Sequence, residues 1–398
     1  GRAVLHCVSA RDLAHFKVDL YRLRISKLTL DGRRVKFQQD KRGILIRLVE
    51  AIPAGAQFTV EVQYSGRPRA VPSKVLGPTG WEELADGVIV AAQPHGAPSW
   101  FPCNDRPGDK ASYRISISAP AGYRVVSNGR LVSTRRHAGS TTWVYDQPEP
   151  MATYLATVQI GRYTVVDVDA VVRLHAVLPG SLLARYEDAF GGQPAMLAFF
   201  SRVFGAYPFE NYTVVITQDD LEIPLESQGL STFGANYLTS DWESERLIAH
   251  EMAHQWFGNS LTLADWSDIW LHEGFACYSE WLWSEESGGV KAHQHAVTHW
   301  NRLAALSQDL ILADPGPELM FDDRVYKRGA LTLHAVRLQV GDETFFSLLR
   351  GWAGTYAYGT VTTGMFVAFA QAQTGVPLGT LFNAWLNKPA LPDLPPGH

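Results

Sequence analysis

The stretch RLIAHEMAHQWFGN, residues 246–259, sets His250, Glu251 and His254 into an otherwise apolar helical pattern. Residues four apart share one face of an α-helix, so the two imidazoles can close on a single metal ion. Glu251, one position on from the first histidine, points slightly aside and can hold a water carried by that ion. A catalytic zinc takes three protein ligands and keeps a fourth position for water. Glu273, inside the next apolar run WLHEGFACYSEWL (residues 270–282), is the expected third ligand. Such a set suits hydrolysis of a carbonyl by an activated water, with Glu251 as the base. A purely structural helix has no use for these groups, because burying them unpaired costs on the order of several kcal/mol. His295 and His299, in HQHAVTH, repeat the spacing without an adjacent acid or a third ligand and read as a solvated helix face.

These residues need helices with defined ends. Ser240 or Asp241 is the expected N-cap of the first, Glu243 and Glu245 fall in its first turn, and Gly258 and Asn259 sit where a C-cap belongs. Asp268, five before Glu273, either orients a ligand imidazole or caps the helix that follows. Further helical periodicities start near Arg185, Glu243, Glu273, Lys291, Lys327 and Thr344, while YTVVITQ (residues 212–218) reads as a strand. From Leu5 to about Val166 the pattern is different: FTVEVQYSG, YRISISAP, TTWVYDQ and YLATVQIGRYTVV alternate with period two between turn residues. The expected fold is therefore α+β in two domains. Residues 1–168 form an antiparallel β domain, saddle-like or sandwich-like, and residues 169–398 a mostly helical domain with a small sheet near its start. The tail LPDLPPGH reads as a loose end.

With 398 residues, 46% hydrophobic and 19% charged, the chain can bury two cores. Its net charge of −5, with both signs mixed along the sequence, offers no basic stripe for a phosphate backbone and argues against a nucleic-acid partner. No apolar run approaches the roughly 20 residues of a membrane span, so no integral membrane segment is expected. Cys7, Cys103 and Cys277 are too few and too spread for a disulfide framework, which leans towards a reducing, cytoplasmic compartment.

HEMAHQWFGN followed by WLHEGFA resembles the aminopeptidase N family of gluzincin metallopeptidases, which includes leukotriene hydrolase. Three other stretches join the resemblance: SWFPCNDRPGDKASYRISI (residues 99–117), IPLESQGLSTFG (residues 223–234) and VYKRGALTLHAV (residues 325–336). It implies a thermolysin-like catalytic domain holding one Zn2+ through His250, His254 and Glu273, with Glu251 as general base. It implies Tyr326 as the donor that stabilises the oxyanion, Glu226 as the carboxylate that binds the substrate's free α-ammonium group, and Gln93, in VAAQPHGAP, as a second substrate-binding residue. The implied activity is removal of N-terminal residues from peptides with a free N-terminus. An endopeptidase using the same zinc and a catalytically inactive peptide-binding scaffold are the alternatives. The sequence departs from the family pattern at His272, at Leu225-Glu226-Ser227 and at Lys327-Arg328, none of which removes a catalytic group. His272 is expected to project away from the metal. Because GRAVL starts mid-pattern and family members usually continue after LFNAWL, the β domain is expected to be incomplete at its start and the site open on one side.

Overall fold

The computed structural model describes residues 1–396 and divides into two compact units, the first taking residues 1–109 and 153–159, the second residues 110–152 and from 160 onward.

Period-two alternation builds the first unit. In Gln57–Ser65, Phe58, Val60 and Val62 point into a core shared with Val18, Leu20, Ile44 and Ile46, while Thr59 and Glu61 between them stay partly exposed. That strand lies in a four-stranded antiparallel sheet in the order Arg2–Val8, Gln57–Ser65, Arg24–Leu30, Arg33–Arg34. A second antiparallel sheet has Leu13–Asp19, Gly43–Ile52 and Phe37–Gln39. Gly80–Leu84 and Gly87–Ala91 pair as a hairpin, and Gln93 lies in the loop that follows.

The second unit opens with an antiparallel sheet of Lys110–Pro120, Ser140–Ala152 and Arg130–His137. Its other large sheet is mixed, in the order Thr164–Val168, Arg173–Leu178, Asn211–Ile216, Leu230–Phe233, Leu225–Ser227, with two parallel pairs inside and an antiparallel pair at each edge. The central strand Asn211–Ile216 is buried throughout, which is why it reads as a continuous apolar run. The run YLATVQIGRYTVV divides, and its last strand, Thr164–Val168, belongs to this mixed sheet. Among the described residues the unit carries helices α1 (Leu183–Phe190), α2 (Gln193–Phe204), α3 (Trp242–Ala253), α4 (Trp270–Glu286), α5 (Ala292–Ala304), α6 (Asp323–Val340), α7 (Asp342–Thr355), α8 (Thr363–Thr374) and α9 (Gly379–Asn387). The α+β architecture expected from the sequence is the one observed. No helix among the described residues is long and apolar enough to cross a membrane.

Two local devices set the helices that matter. Asp241 caps α3 by accepting from Ser244 N at 3.0 Å, with Glu243 and Glu245 in the first turn. The helix stops at Ala253 with His254 as its C-cap, earlier than expected; Gly258 (φ 134°) and Asn259 belong to the turn beyond. The second device is a glycine contact. A Cβ on Gly274 of α4 would meet Gly329 Cα at 2.7 Å, and one on Gly329 of α6 would meet Gly274 Cα at 2.6 Å. The two backbones therefore touch, which only glycine at both positions permits. At the other end of the chain the tail is not loose where it is described: Leu391 N donates to Gln308 Oε1 at 2.8 Å and Trp300 Nε1 to Pro392 O at 2.7 Å. Gly397 and His398 lie outside the described residues.

Candidate metal centre and active site

α3 ends at the site, α4 begins there, and both imidazoles converge on one carboxylate oxygen. His250 Nε2 lies 3.2 Å and His254 Nε2 3.4 Å from Glu273 Oε2, and the two rings stand 4.7 Å apart at 77°. One donor atom from each of the three residues falls within 4.8 Å of the others, and all three side chains are buried. Although burial works against its charge, the neighbouring His254 and His250 hold the Glu273 carboxylate well below its usual range. The far ring nitrogens are occupied. His250 Nδ1 meets Glu280 Oε1 at 2.8 Å, and His254 Nδ1 meets Phe257 O at 3.0 Å, so both Nε2 atoms are left to face the ligand position.

Glu280 is the residue that spacing arguments from the sequence missed. It sits seven residues after Glu273, two turns along the same face of α4, and is 2% exposed. Arg246 (3.5 Å) and Lys327 (3.9 Å) flank its other oxygen. Asp268, the expected candidate for this work, does neither thing expected of it: its Oδ1 accepts from Thr363 N at 2.9 Å, at the start of α8. Glu280→Gln is expected to weaken zinc affinity by about 10- to 100-fold, because an amide holds the His250 ring less well than a carboxylate. Chelator-competition titration measures this directly. His272 faces away from the ligands as expected: burial pushes its imidazole down to about 3, and its Nε2 accepts from Leu263 N at 2.8 Å.

Glu251 is 4% exposed, and its buried Oε2 finds no hydrogen-bond partner among the described residues. Burial pushes its carboxyl up to about 8, opposed by His250 and His254 and reinforced by Glu226 and Glu273. Glu226, on the edge strand Leu225–Ser227, is the one buried acid of its segment, since Asp220 and Glu222 are exposed and Asp219 is half-buried. Burial also raises its carboxyl, while His254 and His250 pull it down, so it shares the field of the same site. Tyr326 stacks on His250 with ring centres 5.9 Å apart at 24°. Burial, with the charges of Glu273, Glu226 and Glu251, holds its phenol far above the ordinary range and therefore protonated. The Gly274–Gly329 contact explains this placement, because Gly329 lies one turn after Tyr326 and Gly274 directly follows Glu273.

The profile of the peptidase family M1 domain matches residues 189–385 and that of the peptidase M1 N-terminal domain residues 10–155. The crystal structure of an M1 zinc metallopeptidase from Deinococcus radiodurans superposes with a TM-score of 0.90 at 30% identity, covering 100% of this chain and 91% of that one. The chain belongs to peptidase family M1. A variant of the same Deinococcus enzyme bound to a Tyr-Ser-Ala substrate gives a TM-score of 0.91, with 99% of this chain and 91% of that one covered. Among curated M1 relatives, leucyl aminopeptidase of Saccharolobus solfataricus is 24% identical over 94% of this chain and 50% of its own length. Aminopeptidase B of Rattus norvegicus is 26% identical over 75% of this chain and 50% of its own. The chain thus spans about half the length of the curated relatives it matches.

The residues fit the zinc of M1 metallopeptidases. Two Nε2 atoms and a carboxylate oxygen converge, the outward nitrogens have fixed partners, and the unpartnered Glu251 Oε2 is the buried polar atom that a hydrolytic water would satisfy. The His295 and His299 pair has another character than expected. Both rings are half-buried; His299 lies flat on Trp281 at 5.2 Å and 3°, and the pair lines a cavity of about 170 Å³ with Arg246 and Lys327. Trp281 gives these imidazoles an apolar wall, so burial pushes His299 down to about 4 and keeps it neutral.

Proposed function

We propose that this chain is a zinc-dependent aminopeptidase that hydrolyses the N-terminal peptide bond of peptides. The observation that carries the reading is a third buried carboxylate, Glu226, sharing the field of the His250, His254 and Glu273 donor set without being one of the donors. An endopeptidase has no need of it. A carboxylate held in a desolvated site recognises a free α-ammonium group by a charge-assisted hydrogen bond. The names of the relatives, and the Tyr-Ser-Ala substrate of the Deinococcus enzyme, support the same reading.

His250, His254 and Glu273 would hold the zinc, which when bound would supply a Lewis acid to polarise the scissile carbonyl and acidify the attacking water. Glu251 Oε2, buried without a hydrogen-bond partner among the described residues, accepts the attacking water's proton and later returns it to the leaving amine. Tyr326, kept as a phenol, donates to the oxyanion that forms as the carbonyl carbon becomes tetrahedral. Glu226 fixes the amine and so counts one residue in from the N-terminus. Gln93 as a second substrate-binding residue is a reading of sequence register alone. The cytoplasmic placement is likewise our reading of three widely spread cysteines.

Hydrolysis of a free-amine aminoacyl amide should far exceed that of its acetylated form; equal rates would turn the reading towards an endopeptidase. Glu226→Ala is expected to lower kcat/KM on the free-amine substrate by about 10- to 100-fold, the equivalent of about 1.5–3 kcal/mol for a hydrogen bond to a charged group, and to leave the acetylated one unchanged. A folded protein that takes up no zinc would favour the inactive scaffold.

A further inference from the structure

The chemistry above leaves a half-buried lysine, Lys110, unused. Lys110, the first residue of the strand Lys110–Pro120, donates from Nζ to Asn259 O at 3.0 Å, Ser260 O at 2.9 Å and Gly359 O at 3.4 Å. These partners are all main-chain carbonyls. Burial pushes its amine down to about 7. Drawing an amine out of water is costly, and what its donors hold is the turn that follows the second histidine.

That turn touches both halves of the site. On the metal side, Phe257 O receives His254 Nδ1 at 3.0 Å, and Asn259 N returns to His254 O at 3.0 Å. On the substrate side, Asn259 Nδ2 donates to Glu226 O at 3.1 Å and Ser227 O at 3.2 Å. Gln255, just before the turn, adds a bond from Gly229 N to its Oε1 at 2.8 Å. One turn therefore fixes the ring of a zinc ligand and the backbone that carries the amine-binding carboxylate.

We infer that Lys110 is a positioning residue: by holding the carbonyls of Asn259 and Ser260 it keeps His254 and Glu226 in register, so that zinc affinity and recognition of the substrate amine depend on one side chain that touches neither ligand. The amine half rests on the aminopeptidase reading above, while the zinc half stands without it. A methionine at position 110 keeps the apolar stem and removes the charge and every donor, which frees the turn to shift away from the Glu226 strand. An arginine retains the charge and enough donors to hold at least two of the carbonyls.

The test measures two quantities on full-length protein: the zinc dissociation constant by chelator competition, and the ratio of kcat/KM for a free-amine leucyl amide over its acetylated form. Circular dichroism confirms folding. Lys110→Met is expected to weaken zinc binding and to lower the preference ratio by about tenfold or more each, as loss of an outer partner of a metal ligand does, with Lys110→Arg restoring most of both. A folded Lys110→Met with wild-type values, or with only one of the two moved, overturns the inference. If Lys110→Met does not fold, Lys110→Leu, which likewise carries neither charge nor donor, is judged by the same criteria. If neither neutral variant folds, Asn259→Ala must lower the preference ratio while keeping zinc affinity, and an unchanged ratio overturns the inference. A wild-type protein that ignores acetylation fails the aminopeptidase reading instead, and the zinc measurements then still decide for or against Lys110.

Discussion

Glu251→Gln is expected to lower kcat by about 10²- to 10⁴-fold, the usual worth of a general acid and base, with zinc content unchanged. The amide has the shape of the carboxyl and fills the same buried position, but it cannot take a proton from water. It also removes one of three acids, Glu226, Glu251 and Glu273, that are buried close enough for their charges to act on one another. The raised pKa of Glu251 says that its charge is unwelcome in the metal-free protein. The neutral amide should therefore leave the zinc-free fold at least as stable as the wild type, which a thermal melt checks. Steady-state kinetics together with metal analysis separate the effects: lost rate with retained zinc is the expected pair. A variant that keeps wild-type kcat would remove Glu251 from the chemistry.

Much of this site was legible in the sequence because its geometry is local. His250 and His254 are tied by the pitch of one helix, and Glu251 by its place between them. Glu273 could be found because zinc needs a third ligand and the next apolar run holds a carboxylate near its start. The architecture was legible for a similar reason, since period-two and period-3.6 patterns separate the β half from the helical half. What stayed hidden depends on contacts between elements. Glu280 lies on the same face as Glu273 at a spacing of seven, a signal that was present, but its task is visible only once α4 lies against α3 and the His250 ring turns its Nδ1 towards it. Asp268 was favoured by proximity in sequence, yet its carboxylate serves α8, nearly a hundred residues on. The His295 and His299 pair reads as a polar face until Trp281, from another helix, covers it. Lys110 could not have been connected to Asn259 from the sequence at all, because the bond spans 149 residues.

Removal of the metal is expected to abolish activity without unfolding the protein, and replacement of a ligand to do more harm. The far ring nitrogens have partners that do not involve the metal, Glu280 Oε1 at 2.8 Å for His250 and Phe257 O at 3.0 Å for His254. Chelation is therefore expected to leave both rings anchored from behind. Zinc at a hundred times its dissociation constant should add about 2.7 kcal/mol to stability by mass action, and chelation should take the same amount away. Glu273→Ala acts on both states. It leaves two imidazoles for a metal that needs three protein ligands, so zinc is lost along with the rate. It also strands those imidazoles, each less than a tenth exposed, without their shared carboxylate. Removing one partner of a buried pair costs about 3–5 kcal/mol, so Glu273→Ala should melt below the chelated wild type. Thermal melts of wild type with zinc, wild type with chelator and Glu273→Ala should therefore fall in that descending order. A Glu273→Ala variant that binds zinc one to one and hydrolyses peptides would show that the third ligand lies elsewhere.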